Sequence, residues 1–306
     1  MDRDDLRSKI YLKDIIENFD FKISKPLIGQ ELATSLRNNG LLEFPYLLRK
    51  QEGYIAFTCH NRIMALKEIG FDSIDAYLLS EPSFDIFNRN LVLKIFRSEV
   101  GPIGKVKVIS ILRKIFNFSD DKVLSYNKSV LKMPHELVLD FNFQERLLSL
   151  PSELIAYLDL KDVPFKTIRD LILLNDNILF HIDRWLSTIP VRLNIFKSIV
   201  EYLFDIQRGG SISEEIFYSQ CFTDDRSLFS FIFSLRYPDY SRRRNRAEAI
   251  VKEISGDGLS IEVPEFFERD FITVKFLLKK SDSPEKLKNI LEKIKTDDIS
   301  EIFSCF

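Results

Sequence analysis

The apolar residues of this chain change their period near residue 80. Up to Leu79, short runs with the two-residue alternation of strands are interleaved with helical segments. From 88 to 235 the runs LVLKIF, GKVKVISILRKIF, DKVLSYNKSVLKM, ELVLDF, SELIAYL, FKTIRDLILL and LNIFKSIVEYLFDI all have helical spacing, with Pro, Asn, Asp and Ser between them. Such a chain cannot extend one sheet along its length. It needs a small α/β unit followed by a helical one, so the fold class expected is α+β. The chain's 27 Phe residues are dense in the helical stretch, where their spacing assigns them to a bundle core rather than to nucleobase stacking. Trp185, in HIDRWL, is assigned to the core as well.

In the first 80 residues, ELATSLRNNG reads as a helix stopped at Asn39-Gly40. Two strands, FPYLLRK and GYIAFT, follow around the turn Lys50-Gln51-Glu52-Gly53; IMALKEIG is then a helix ended by Gly70, and DAYLL a strand. Between the second strand and the helix stand Cys59, His60, Asn61 and Arg62. A helix start exposes unpaired N–H groups and a partial positive charge, so a polar turn with an arginine suits a phosphate. Two roles fit these residues. In one, Arg62 and the amides of 60–63 hold phosphates while His60 and Asn61 donate to the same ligand; in the other, Arg62 pairs with a local carboxylate at a capped helix start.

From 236 the chain reads RYPDYSRRRNRAEAIVKEI, with Ser241 as a candidate N-cap. Arg242, Arg243, Arg244 and Arg246 then fall in or near the first turn, where the helix dipole disfavours cations. That placement calls for an anionic partner, either DNA phosphates or an acidic surface elsewhere on the protein. A hairpin is expected from LSIEV and FITVKFLL around PEFFERD, then a helix SPEKLKNILEKIK capped by Ser283 with Pro284 at its first position. Gly209-Gly210-Ser211 reads as a joint between helices. The expected division is 1–87, 88–235 and 236–306, a length of 306 residues exceeding what one small core organises.

A formal net charge of −2 excludes a uniformly basic nucleic-acid coat, so any DNA contact must be regional. Cys59, Cys221 and Cys305 are far apart, form no C-x-x-C pair and suit a reducing cytoplasm. His135 and His181 lack ligand spacing, and no metal set is expected. The N-terminal residues lack the apolar core of a signal peptide, and no run approaches the roughly 20 apolar residues of a membrane span.

The segment SLRNNGLLEFPYLLRKQEGYIAFTCHNRIMALKEIGFDSIDAYLL resembles the N-terminal domain of the ParB partition-protein family. That domain has a helix ending in Gly, a strand with Pro, a second strand, a Gly-[Glu/His]-[Arg/Asn]-Arg turn, and a helix with a small residue and a terminal Gly. Gly40, Pro45, Tyr54, the turn Cys59-His60-Asn61-Arg62, Ala65 and Gly70 stand at those places. In KIFRSEVGPIGK, Arg97 and Pro102-Ile103 match the family's later phosphate and magnesium motif, but Leu93 and Lys94 replace its metal-binding Glu and its Asn, and Cys59 replaces the leading Gly of the turn. LLSLPSELIAYLDLKDVPFKTIRDLILL resembles the segment after the family's helix-turn-helix, and FSDDKVLSYNKSVLKMPHELVLDFNFQERLL stands in the helix-turn-helix position without its usual Ala and turn Gly. The resemblance spans roughly residues 10 to 180.

The resemblance implies a ParB/sulfiredoxin-like α/β N-terminal domain, a helical middle domain with a helix-turn-helix-like segment, and a small α/β C-terminal region. It implies CTP binding at Cys59, His60, Asn61, Arg62, Lys94 and Arg97, DNA contact through Arg242, Arg243, Arg244 and Arg246, a homodimer, a partner partition ATPase and a nucleoid location. With Leu93 and Lys94 in place of the acid and the Asn, magnesium-dependent hydrolysis is expected to be weak or absent. Two alternatives stay open: a phosphoryl-transfer enzyme of the same fold, and an interaction scaffold. Sulfiredoxin chemistry places its thiol one residue later than Cys59, where His60 stands.

Overall fold

The computed structural model describes residues 7–26, 31–210, 215–218, 220–256, 258–264, 271–277, 285, 288, 292 and 296–305. Five strands, β1 (Arg7–Tyr11), β2 (Ile15–Ile16), β3 (Tyr46–Lys50), β4 (Gly53–Ala56) and β5 (Ser73–Leu79), form a mixed sheet in the order β1-β5-β3-β4-β2. β3 and β4 make an antiparallel hairpin with Leu48 opposite Ile55. β3 and β5 run parallel, and β3 lies between β4 and β5, so the chain from β4 to β5 must pass over β3, and helix α2 (His60–Glu68) lies in that connection. Helix α1 (Glu31–Asn39) ends at Gly40 with φ 64, and Gly70 follows α2 with φ 82, so both stops read from the sequence sit in the left-handed region that glycine favours. Leu36, Leu47, Ala56, Ile63, Leu66, Ile74 and Ala76 form the core between sheet and helices. The sequence pattern did not mark β1 and β2. Of β1 only Ile10 is buried, and its register against β5, with Lys9 opposite Asp75, is fixed by a strand far along the chain.

The helical stretch comprises α3 (Phe84–Phe96), α4 (Pro102–Lys114), α5 (Asp120–Tyr126), α6 (His135–Val138), α7 (Phe141–Leu148), α8 (Ser152–Leu160), α9 (Phe165–Ile172), α10 (Asp176–Thr188), α11 (Leu193–Arg208), α12 (Glu215–Tyr218), α13 (Asp225–Arg236) and α14 (Pro238–Ile254). DKVLSYNKSVLKM is not one helix. α5 passes into a π-helical turn at Asn127–Leu131, and the Asn127 side chain both accepts from the Met133 amide (3.0 Å) and donates to its carbonyl (3.1 Å), closing the turn. ELVLDF breaks at Asp140, whose carboxylate accepts from the Phe143 amide at 2.9 Å and starts α7. α10 was not expected; Asn175 caps it, and it buries Ile178, His181, Ile182 and Trp185, the last as assigned. Phe84, Phe87, Phe116, Phe118 and Tyr126 pack ring on ring as bundle core, while Phe96 at 87% exposure, Phe141 and Phe180 face outward.

By internal contacts the chain forms two compact units, Met1–Asp225 and Arg226–Phe306. The boundary expected at 87/88 lies inside the first of these. In the second, β6 (Leu259–Glu262) and β7 (Thr273–Phe276) form the expected antiparallel hairpin, and Ile254, Leu259, Ile261 and Ile302 of α14, β6 and α15 (Thr296–Phe303) make its core. Ser283 and Pro284 lie outside the described residues.

Candidate anion-binding site

The strand-to-helix turn is built by backbone pairing. The amides of Phe57 and Thr58 both donate to the Tyr46 carbonyl, and the Thr58 hydroxyl accepts from the Tyr46 amide at 2.9 Å. The chain then turns at Cys59 with φ 58 and ψ 27, and the Cys59 carbonyl accepts from the amides of Arg62 and Ile63, both at 3.0 Å. This left-handed backbone is the physical reason a glycine suits the position; a cysteine occupies it at a steric cost. The amides of His60 and Asn61 head α2, where an α-helix offers no acceptor of its own.

Beside this turn lies a cavity of about 360 Å³, lined by Lys25, Glu43, Cys59, Asn61, Arg62, Leu93, Lys94, Arg97 and Glu99 among others. Arg62 donates to Glu43 at 2.8 Å, Lys94 to Glu99 at 3.0 Å, and Lys25 to Asp162 at 2.5 Å. Arg97 has no carboxylate partner among the described residues. Lys25 is held in place by its amide on the Glu99 carbonyl (2.8 Å) and by its own carbonyl, which accepts from the Asn61 amide group at 2.9 Å. Asn61 therefore positions Lys25. Burial opposes the charge on Arg62, but Glu43 and Cys59 hold its guanidinium more firmly protonated than usual. Burial pushes the Cys59 thiol up, and Arg62, 3.7 Å from its sulfur, offsets this only in part, so the thiol is a packed group rather than a nucleophile.

Of the residues singled out in the sequence, Cys59, Asn61, Arg62, Lys94 and Arg97 meet at this cavity, and His60 does not. His60 is 6% exposed and lines a second, smaller cavity of about 110 Å³ with Ile15, Phe19 and Met64. Burial, reinforced by Lys94, Lys22 and Lys107, lowers its pKa to about 4, leaving the ring neutral near pH 7. His60 and Arg62 line different cavities because residues two apart on a helix lie about 200° from each other around its axis. Lys25, Glu43 and Glu99 were missed. None stands in a motif, and they reach the cavity only through the packing of distant segments.

The arginine cluster sits differently from its expected place. α14 begins at Pro238, not after Ser241, so Asp239 occupies the first turn and the conflict with the helix dipole disappears. Arg244 donates to Glu248 (2.7 Å) and to the Tyr240 hydroxyl (3.0 Å), and Arg246 donates twice to Glu301. Arg242 lies 3.4 Å from Asp239 with 79% of its side chain exposed, and Arg243 is exposed.

A divalent cation does not fit the first cavity. Among the described residues its only carboxylates are Glu43 and Glu99, each bound to a cation, and four cationic side chains share the lining. Among the described residues no three His, Cys, Asp or Glu side chains gather as a metal set. Nor is any helix among them long and apolar enough to cross a membrane.

No protein-family model and no curated protein matches the sequence. Among solved structures, the chain is similar to the C-terminally truncated chromosome-partitioning protein ParB from Caulobacter crescentus complexed with CTP-gamma-S, at 13% identity and TM-score 0.26, over 59% of this chain and 98% of that one. It is also similar to C-terminally truncated ParB from the same organism complexed to the centromeric parS site, at 14% identity and TM-score 0.29, over 69% of this chain and 96% of that one. At these scores neither structure assigns a role to any residue here.

Proposed function

We propose that this chain is a ParB-like protein of the partition type that associates with DNA under the control of a bound nucleotide, CTP by the family resemblance, with weak or no hydrolysis. The observation that carries this reading is the convergence of Lys25, Arg62, Lys94 and Arg97 on one cavity at the start of α2. A volume of about 360 Å³ is within the range of small-molecule pockets, and the cations meet the phosphates while Leu93 offers an apolar wall. Cys59 and Asn61 shape the site, Cys59 by turning the chain and Asn61 by holding Lys25. DNA contact falls to the cluster Arg242, Arg243, Arg244 and Arg246, of which Arg242, with 79% of its side chain exposed against 40% for Arg244 and 61% for Arg246, is more open to a phosphate than those two. A homodimer and a partner partition ATPase follow from the same resemblance.

The test is a selection of genomic DNA fragments on the purified chain at near-physiological salt, with and without CTP, together with melting curves. Enrichment of one short site, with retention that changes on adding CTP, is the expected result. If no fragment is enriched and binding disappears as salt rises, the DNA half is wrong. If CTP leaves the melting temperature unchanged, the nucleotide half is wrong. Sustained CTP turnover that Arg62→Ala abolishes would contradict weak hydrolysis.

A further inference from the structure

We propose that the cavity at the start of α2 takes a polyphosphate without a divalent cation, and that Glu43 and Glu99 are competitors of that ligand built into the protein. This inference rests on the nucleotide-pocket reading above and fixes the ionic form in which the ligand binds.

Magnesium usually accompanies a polyphosphate because it bridges the phosphates and neutralises their charge. Here that neutralisation is already available from Lys25, Arg62, Lys94 and Arg97. A magnesium ion would have to detach Glu43 from Arg62 and Glu99 from Lys94, and would then face three uncompensated cations, Arg62, Lys94 and Arg97, beside Lys25 on Asp162. A phosphate group needs only the opposite exchange. It takes the cations, and the two carboxylates move into water.

The exposures favour that exchange. The Arg62 and Lys94 side chains are 31% and 16% exposed, against 56% and 38% for Glu43 and Glu99, so in each pair the carboxylate is the partner nearer water. Half-exposed ion pairs of this kind are weak, whereas phosphate offers several oxygens to a guanidinium at once. Arg97 has no carboxylate to displace among the described residues, so a phosphate reaches it without breaking an ion pair.

The probes are sodium triphosphate and CTP, titrated calorimetrically into the full chain in EDTA and in magnesium. The wild-type chain is expected to bind both in EDTA at least as tightly as in magnesium. Glu43→Gln with Glu99→Gln should tighten binding about ten-fold, and Lys94→Ala should weaken it. Binding that requires magnesium, or a double variant that melts like wild type and binds no more tightly, overturns the inference and leaves the pocket reading standing. If the folded chain binds neither probe in either buffer, the pocket reading itself falls, and the inference with it.

Discussion

Asp159 and His60 are buried ionisable residues whose titrations act on stability in opposite directions. The Asp159 carboxylate accepts from the amides of Ile103 (2.8 Å) and Gly104 (3.4 Å), capping α4 from α8. Burial nevertheless raises its pKa from 3.8 to about 6, against those amides and the charges of Lys107 and Lys25. The folded state therefore keeps a proton that the unfolded chain releases; the stability this gives is full below about pH 4 and is lost as pH rises through 6. His60, lowered from 6.5 to about 4, gives stability that is present above 6.5 and is lost as pH falls through 4. Each effect amounts to roughly 3 kcal/mol, and over the shared window they cancel. Urea denaturation between pH 4 and 7 is expected to show the Asp159→Asn variant gaining stability with rising pH, His60→Gln losing it, and the double variant behaving like wild type in slope. Parallel slopes in the two single variants would refute the opposed pair. Cys59 carries a steric prediction. Cys59→Gly relieves a left-handed backbone but loosens the unfolded chain and loses a buried thiol, so its stability should stay within about 1 kcal/mol of wild type, whereas the β-branched Cys59→Val should cost about 2 kcal/mol.

At the scale of elements, α4 is seated by two glycines. A Cβ on Gly104 would lie 2.2 Å from the Ile23 carbonyl oxygen, and one on Gly101 would lie 2.4 Å from the Asp159 carboxylate. The neighbour of Gly104 is backbone and cannot step aside, so Gly104→Ala must push α4 from the segment that carries Lys25. A loss of about 2–3 kcal/mol is expected in denaturation, together with weaker triphosphate binding. An unchanged midpoint would mean that the segment shifts freely. In sequence, GPIG reads only as a helix start; that Gly104 is a contact point requires Ile23, some 80 residues earlier. The same limit explains the helices. Spacing located the apolar faces of α8, α9 and α11, because a helix face is a local property. The breaks at Asn127 and Asp140 depend on side-chain bonds to nearby backbone that an apolar pattern does not display.

At the scale of the whole molecule, the cavity and the exposed arginines belong to different compact units, 1–225 and 226–306. Ile302→Ala, in the core of the second, should cost about 2–4 kcal/mol of that unit's stability and leave triphosphate affinity unchanged; a matching loss of affinity would contradict the assignment of the ligand to the first unit alone. Replacing Arg242 and Arg243 by Ala should lower the salt dependence of DNA binding by about two counterions, and an unchanged slope would move the DNA contact elsewhere. The sequence alone determined the local grammar: the strand-turn-helix around Cys59 to Arg62, the glycine stops at 40 and 70, the change from mixed to helical texture, and the hairpin at 259–276. These depend on backbone preference and periodicity within a few residues. Only the tertiary structure decided that Lys25, Glu43 and Glu99 stand around that turn, that His60 faces away from it, that β1 and β2 complete the sheet, and that Arg246 is held by Glu301. Those outcomes come from contacts between segments tens of residues apart, set by which faces the core buries together, and no local pattern encodes them.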